Sequence, residues 1–325
     1  MQKSASLAIA EVLAHCGGAP GEAVAYLTQA IREDPAAPEP YDRLAELRRR
    51  SPSEVAEAVA DPSDLWQFVA GAYFCFLDGD MDGAARLLGS VIGYRPTISW
   101  AAAPWFADQR FLGALTAEGL ADASLNITDH GPDIDGEAAR ERLRPWLRAV
   151  ALVCEREPAA EALARMAILL RVCGLTDQSL ALCDQADLVE RVMMTEVVRA
   201  GTWRRLGDRG QTVAAFRRAL ALDPANWSLY LDLADLAAEE GDYSAAADLV
   251  GQGLERDPDD ITLRAAGAAF RVRATGSVTD LDLLIALAPA LPHAGYRDGL
   301  IDQALAAEGL PADRVAAARR VRAQA

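Results

Sequence analysis

The acidic residues around position 80 have the spacing of ligands in a calcium-binding loop. The stretch Asp78–Gly83 carries aspartates at alternate positions and ends on a glycine, where such a loop turns sharply. A calcium loop also needs a bidentate carboxylate six residues after that glycine, because two or three acids cannot fill a shell of six to eight oxygens. That position is Gly89. The ligands are too few, so we expect a helix turn at Gly79-Asp80 and no metal site.

Histidine and cysteine could supply a nucleophile or a general base. The three histidines, His15, His130 and His293, lie far apart in the sequence. The HExxH, GxxxxGK[ST], GxSxG and GxGxxG motifs are all absent. We therefore predict that the protein is not an enzyme and has no cofactor, with a Cys–His pair assembled by folding as the remaining enzymatic alternative.

The cysteine pattern indicates a reducing compartment. The number of cysteines is odd, and no two have the CxxC spacing. Each falls within or beside a predicted helix, so we interpret them as small buried hydrophobic residues in the cytoplasm. The five residues are Cys16, Cys75, Cys154, Cys173 and Cys183.

Composition and charge restrict the classes of partner. The 325 residues are 51% hydrophobic but only 6% aromatic, which favours an all-helical fold with an interior of alanine and leucine. A formal net charge of −16 opposes non-specific binding to nucleic acid and to anionic membranes. No apolar run reaches the roughly 18 residues that span a bilayer. Glu11 interrupts the apolar N-terminal stretch, which therefore predicts an amphipathic helix and not an export signal. The abundance of Ala, Arg and Asp over Lys is typical of a bacterial protein from a high-GC genome.

The stretch Met193–Asp260 contains the same pattern twice. Gly207-Asp208 recurs as Gly241-Asp242, and Asp223-Pro224 recurs as Asp257-Pro258, both 34 residues later. Between these landmarks the apolar residues are three and four positions apart, as on one face of an α-helix. Each copy is therefore predicted to be a pair of helices, with glycine at the inner turn and proline closing the unit.

A 34-residue repeat with these landmarks resembles the tetratricopeptide-repeat family. The resemblance is strong over Ala160–Asp260 and moderate over Ser4–Pro35 and Leu65–Pro96. It implies an all-α solenoid, in which antiparallel helix pairs form a right-handed superhelix that binds other proteins. Some members clamp a C-terminal carboxylate with lysine and asparagine, which are absent from the matching helix faces here. That activity is not implied for this chain.

The repeat pattern divides the chain into four parts. The period is clear near both ends and lost in the middle, and the last helices carry the polar outer face that caps a repeat array. The predicted parts are N-terminal repeats over 1–97 (one of them degenerate), an irregular helical insert or diverged repeats over 98–159, a C-terminal array over 160–290 and capping helices over 291–325.

Within the insert, three features are predicted from local signals. An aromatic-rich stretch, Trp100–Phe111, leads into a helix that ends near Gly119. The polar stretch Asn126–Gly136 is predicted to be a loop. A helix then begins at Glu137 and bends at Pro145, because proline removes a backbone donor and clashes with the preceding turn.

The first helix of each repeat has a second face, to which a partner could bind. In the repeat that begins at position 65 this face carries Trp66, Val69, Tyr73 and Phe76. The rest of that helix is also apolar, and a helix apolar nearly all round must be buried by something. One alternative is burial against the neighbouring degenerate helix or the aromatic insert. The other is a groove for a peptide or helix, in which aromatic anchors dominate affinity.

The same offset places arginines on this face in the C-terminal array. Arg171 and Arg204 fall on consecutive first helices, with Arg205 beside the second, and the same offset places Asp235 on this face of the next first helix as a further candidate binding residue. Such a cluster could hold a carboxylate of an acidic partner segment. Local pairing with Asp235 and Glu239 is the equally weighted alternative.

The leading functional hypothesis is a non-enzymatic scaffold or adaptor that binds a peptide or a partner helix in its concave groove. The alternative is a regulatory module that senses a small ligand in a pocket closed by the aromatic insert. The expected partner is another protein or peptide, and no nucleic acid, membrane or metal is expected. Neither hypothesis identifies the partner, because the fold alone does not define one.

Overall fold

A computed structural model describes residues 4–15, 20–130 and 134–323 of the chain. Cys16 and the side chains of His15 and His130 lie outside the described part. The described residues form nineteen α-helices and three short 3-10 turns, and none of them lies in a β-strand. The predicted all-α class is therefore confirmed. The chain divides into two compact units, Met1–Thr202 (unit 1) and Trp203–Ala325 (unit 2). The four-part division made from the repeat pattern stays a prediction.

Unit 1 is built from helices that pack on their neighbours in the chain, as in the pairs α1 with α2, α5 with α6 and α10 with α11, and α8 packs extensively on both α6 and α10. The helices are α1 Ala5–His15, α2 Pro20–Glu33, α3 Glu39–Arg50, α4 Pro52–Val59, α5 Leu65–Asp78, α6 Met81–Tyr94, α7 Gln109–Ala114, α8 Ala117–His130, α9 Glu137–Arg156, α10 Ala160–Val172, α11 Thr176–Val189 and most of α12 Met193–Leu206. Two 3-10 turns, Trp100–Ala102 and Pro104–Ala107, lie between α6 and α7.

Unit 2 has its core around α16, in which every residue of Ala265–Phe270 is buried. This helix packs on α15, α17 and α18. The small side chains let these neighbours approach closely, which agrees with the alanine-rich interior predicted from composition. The helices of the unit are α13 Arg209–Leu222, α14 Trp227–Glu239, α15 Tyr243–Leu254, α16 Ile261–Thr275, α17 Val278–Leu287, α18 Ala294–Leu305 and α19 Ala312–Arg322, with a 3-10 turn at Ala288–Ala290.

Gly-Asp pairs form the inner turns of the repeats, as predicted. In Gly79-Asp80, Gly207-Asp208 and Gly241-Asp242 the glycine ends one helix with a φ of +88°, +76° and +82°. These values favour glycine because a Cβ is strained in that region. The aspartate then begins the next helix, since its carboxylate accepts a hydrogen bond of 2.9–3.0 Å from the backbone N–H three residues later.

Asp-Pro pairs form the outer turns with the same geometry in both units. The carboxylates of Asp34 and Asp223 each accept a hydrogen bond from the N–H two residues later, at 3.1 and 3.2 Å. Six residues after each proline, the hydroxyls of Tyr41 and Tyr230 donate to that proline's carbonyl, at 3.1 and 3.4 Å. The N-terminal turn at Asp34-Pro35 therefore follows the same repeat pattern as the stretch Met193–Asp260.

The insert is more regular than predicted. The prediction of a loop over Asn126–Gly136 is wrong for the first half of this stretch, because α8 continues to His130. Gly119 lies in the first turn of α8, where its N–H donates to the Thr116 hydroxyl at 2.9 Å, so the helix end predicted there is also wrong. The polar residues Asn126, Thr128 and Asp129 are partly or fully exposed, whereas Ile127 is fully buried. The polar stretch is therefore the outward face of an amphipathic helix and not a loop.

Candidate functional site

The aromatic stripe on α5 is covered by other parts of unit 1. Val69, Tyr73 and Phe76 are 6–7% exposed, and Trp66 is half-buried against the same core. The Tyr73 ring meets Tyr41 edge-on at 5.1 Å between ring centroids. These contacts favour the first alternative, in which the stripe is buried by the chain itself.

The aromatic insert supplies much of that cover. The ring of Trp105 lies 5.4 Å from Phe76 and 5.2 Å from Phe111. Phe106 stacks on Trp146 of α9 at 5.2 Å with an interplanar angle of 16°. The rings fill the space between α5 and α9, so they act as core in the structure. The small-ligand pocket predicted beneath them stays a prediction.

The predicted arginines lie in two different units. In unit 1, the Nη1 of Arg171 donates to the carbonyl of Val198 at 3.5 Å. In unit 2, Arg204 forms an ion pair with Glu239, and Arg205 is exposed. The contact of Arg204 agrees with the local-pairing alternative for that residue.

A second group of side chains comes together on the first-helix side of unit 2. Asp232, Asp235 and Glu239 lie on one face of α14, at steps of three and four residues. The hydroxyl of Tyr296 on α18 donates to the Oδ1 of Asp235 at 3.4 Å. Position 269 of α16, 34 residues after Asp235, is a fully buried alanine, and such a small residue leaves room for the tyrosine to reach α14. We call Asp232, Asp235, Glu239 and Tyr296 the acidic face.

Burial perturbs both inner carboxylates of the acidic face. Burial, and next the charge of Asp232, raise the pKa of Asp235 to about 6, while the Tyr296 hydrogen bond and Arg204 act in the opposite direction. Burial also raises the pKa of Asp232, which Arg204 partly offsets. Neither aspartate forms an ion pair with another described residue. Sequence reasoning selected Asp235 but missed Asp232 and Tyr296, because a contact across 61 residues and two helices has no signal in the repeat pattern.

Asp235 is expected to make unit 2 less stable at neutral pH than it is in mild acid. Its pKa in the folded protein lies above the ordinary value of 3.8. The contribution of the protonated Asp235 to the free energy of unfolding is therefore fully present below pH 3.8, and it is lost as the carboxyl ionises and the pH rises through about 6. Asp235→Asn removes the charge and keeps the shape, so we expect it to raise the free energy of unfolding by about 2 kcal/mol at pH 7.5. Urea unfolding at pH 4, 6 and 7.5 measures this. A stabilisation that does not decline toward pH 4 contradicts the assigned cause.

The acidic stretch with calcium-like spacing forms local contacts in the part of the chain that is described. No three His, Cys, Asp or Glu side chains there are placed to hold a metal ion. Asp78 pairs with Arg48, Asp80 caps α6, and Asp82 accepts hydrogen bonds from Thr116, so the aspartates of the calcium-like stretch stabilise helix ends and neighbours.

The cysteine side chains within the described ranges are buried or half-buried. Burial raises the pKa of Cys154 to about 11 and that of Cys183 to about 12. A thiol with such a pKa is protonated at neutral pH and is a poor nucleophile.

Among the described residues, none of the helices has the length and the apolar character that crossing a membrane requires.

Comparison with known proteins identifies the repeats. The family described as tetratricopeptide repeat matches residues 204–269, which cover the end of α12, the turn pairs of unit 2 and most of α16. No curated protein matches the sequence.

Solved structures of repeat proteins are similar to this chain at low identity. MamA from Desulfovibrio magneticus RS-1 is 16% identical, with 53% of this chain and 92% of that chain covered and a TM-score of 0.38. PilF from Pseudomonas aeruginosa is 15% identical, with coverage of 72% and 96% and a TM-score of 0.40. A tetratricopeptide repeat protein from Parabacteroides merdae is 13% identical, with coverage of 98% and 97% and a TM-score of 0.38. Similarity at this level says nothing about the partner of this chain.

Proposed function

We propose that this tetratricopeptide-repeat protein is a non-enzymatic scaffold whose acidic face binds a partner segment through a lysine or arginine side chain. The observation that carries the proposal is the pair Asp232 and Asp235, two adjacent half-buried carboxylates on a first helix with no ion-pair partner among the described residues. Adjacent buried carboxylates destabilise a fold unless a cation neutralises them. A basic side chain from a partner supplies that cation.

The surroundings of the two carboxylates fit a peptide that lies along the face. Tyr296 offers an aromatic ring beside Asp235, and aromatic side chains attract cations through their π face. Arg204 and Glu239 pair at the edge of the face, and Arg209 pairs with Glu239 at 3.8 Å. The edge is thus neutralised internally while the inner carboxylates are not. The proposal keeps Asp235, Arg204 and Arg205 from the residues predicted by sequence, with the arginines at the rim.

The test is selection of peptides from a displayed library of random twelve-residue sequences on the immobilised full-length protein. We expect the retained peptides to be enriched in Lys and Arg, and the double variant Asp232→Asn with Asp235→Asn to bind them at least tenfold more weakly. A charge-assisted hydrogen bond contributes about 1.5–3 kcal/mol, so losing it weakens binding by about this factor or more.

The control is Asp248→Asn, which neutralises an exposed acid on α15, a second helix of unit 2. We expect this variant to bind the selected peptides as the unaltered protein does. Three results contradict the proposal: no enrichment of any peptide, enrichment without basic residues, or equal binding by the double variant.

A further inference from the structure

An open groove in unit 1 lies between α9 and the segment formed by the Pro104–Ala107 turn and α7. Its volume is about 1000 Å³. The groove lies in the predicted insert, where the 34-residue period is lost. It shares no residue with the acidic face. We call it the arginine groove, and its lining residues are Phe106, Ala107, Gln109, Leu112, Gly113, Arg144, Pro145, Arg148, Ala149, Leu152 and Arg156.

The floor of the groove is apolar and firmly supported. Phe106 is itself 1% exposed and stacks on Trp146, which is fully buried, so Leu112 and Leu152 supply apolar surface that a ligand can reach. The guanidinium of Arg156 donates to the carbonyls of Leu112 (at 2.5 Å) and Leu115, which fastens the end of α9 to the end of α7. Arginine at a helix C-terminus also interacts favourably with the helix dipole. The two walls are therefore fixed relative to each other, so the groove does not depend on a partner for its shape.

One wall carries positive charge along its length. Arg144, Arg148, Leu152 and Arg156 follow each other at four-residue steps on α9, and Leu152 is 44% exposed among the arginines. Arginines four apart on a helix repel each other by a few tenths of a kcal/mol unless an anion lies nearby. No acidic residue lines the groove.

Two of the three arginines that line the groove have an acidic neighbour, and the third has none among the described residues. Glu141 pairs with Arg144 at 2.9 Å, although both side chains are largely exposed, and Glu157 lies 3.8 Å from Arg156. Asp108, next to the groove, caps α7 through the N–H of Arg110. Arg148 has no ion pair with any described residue. A basic stripe beside an apolar floor, in a chain with 48 acids and 32 Lys and Arg, is therefore a local exception to the charge of the protein.

We propose that the arginine groove binds an acidic amphipathic helix of a partner protein. The positions from Arg144 to Arg156 extend about 18 Å along α9 at 1.5 Å per residue, which matches about three turns of a docked helix. Leucines three and four residues apart would contact Leu112 and Leu152, and Glu or Asp on the side of this apolar stripe that faces α9 would meet Arg144 and Arg148. The strongly negative net charge of the chain disfavours a nucleic acid at the same groove.

The experiment measures binding of two synthetic sixteen-residue helical peptides by fluorescence anisotropy to the full chain. Both peptides have the same leucine stripe, and one carries glutamate where the other carries lysine. We expect the glutamate peptide to bind at least tenfold more tightly. We expect Arg144→Glu with Arg148→Glu to weaken its binding at least tenfold, because attraction then becomes repulsion. The control, Arg32→Glu with Arg95→Glu, makes the same change of net charge at exposed positions elsewhere in unit 1 and should leave binding unchanged.

Several results would overturn the proposal. These are equal affinity for the two peptides, no saturable binding of the glutamate peptide, or unaltered binding by Arg144→Glu with Arg148→Glu while circular dichroism shows an intact fold. Self-association that is abolished by the same two substitutions would assign the groove to a second copy of the chain in place of an acidic partner helix. The two peptides and the arginine substitutions test a surface of unit 1, whereas the acidic face lies in unit 2. Failure of this proposal is therefore distinguishable from failure of the proposed function.

Discussion

Arg199→Leu is expected to lower the free energy of unfolding of unit 1 by about 3–5 kcal/mol. Arg199 is 9% exposed and donates hydrogen bonds to Glu196 at 2.9 Å, Asp184 at 2.8 Å and Asp187 at 2.6 Å. Those acids raise the pKa of the guanidinium above its ordinary value despite its burial. Removing the arginine takes away these three hydrogen bonds at once, including the one to Glu196, which is itself 8% exposed. Breaking a buried network of ion pairs is one of the few single changes that cost this much.

The measurement is urea unfolding of the full chain, with hydrogen exchange of the amides of α11 and the unit 1 part of α12 to locate the loss. A matched double variant, Arg199→Leu with Glu196→Gln, also removes the buried negative charge of Glu196 and should recover part of the stability. A loss below about 1 kcal/mol in the single variant, or no recovery in the double variant, is incompatible with this account.

The repeat spacing indicates the position of this ion pair. Counting 34 residues on from Glu196 and Arg199 gives Tyr230 and Leu233, which are both buried in the next repeat. Two ionic residues thus occupy positions where the next repeat has a tyrosine and a leucine. A charged pair at two adjacent core positions predicts a buried ion pair, because neither charge could be buried alone.

Periodicity predicted the local structure well wherever the same turn chemistry recurs. The Gly-Asp turns and the Asp-Pro turns lie where the sequence indicated. Each depends on one or two residues whose backbone preferences are strong and local. The limits of α8 were missed because Gly119 and a polar stretch gave the signals of a helix end, while the packing of α8 on α6 and α10 decided the outcome.

The candidate sites could be predicted only in part, because they depend on contacts between distant residues. The stripe on α5 was recognised as needing cover, but its main cover, Trp105 and Phe111, comes from the aperiodic segment, whose position no spacing predicts. Asp235 was selected by its place on a first helix, whereas its contact with Tyr296 required the fold. The arginine groove was not predicted at all. Its arginines lie in a helix that the sequence showed, but the opposite wall is made by 3-10 and short helical turns without a periodic signal.

Gly89→Ala is expected to destabilise unit 1 by about 3 kcal/mol, the upper part of the range for overpacked cores. At this position α6 and α8 cross so closely that an added Cβ would overlap the carbonyl oxygen of Ala123 and lie 3.1 Å from its carbonyl carbon. Both atoms belong to the backbone of α8, which cannot rotate away as a side chain would. The two helices must therefore separate, and Leu88 and Ile92, which are buried in the same core, lose contact with their neighbours.

The matched control is Gly113→Ala in α7, where a Cβ meets no atom within 4 Å. This change is expected to leave stability unaltered or to raise it by up to about 1 kcal/mol, because alanine restricts the unfolded chain and favours the helix. Thermal unfolding of both variants followed by circular dichroism gives the comparison, and equal midpoints would disprove the close crossing of α6 and α8. Gly89 is also the position at which a calcium loop beginning at Asp78 would need its bidentate carboxylate. A calcium loop cannot use a glycine at this position, whereas the packing of α6 on α8 requires one. The acidic stretch therefore forms a helix turn and not a calcium loop.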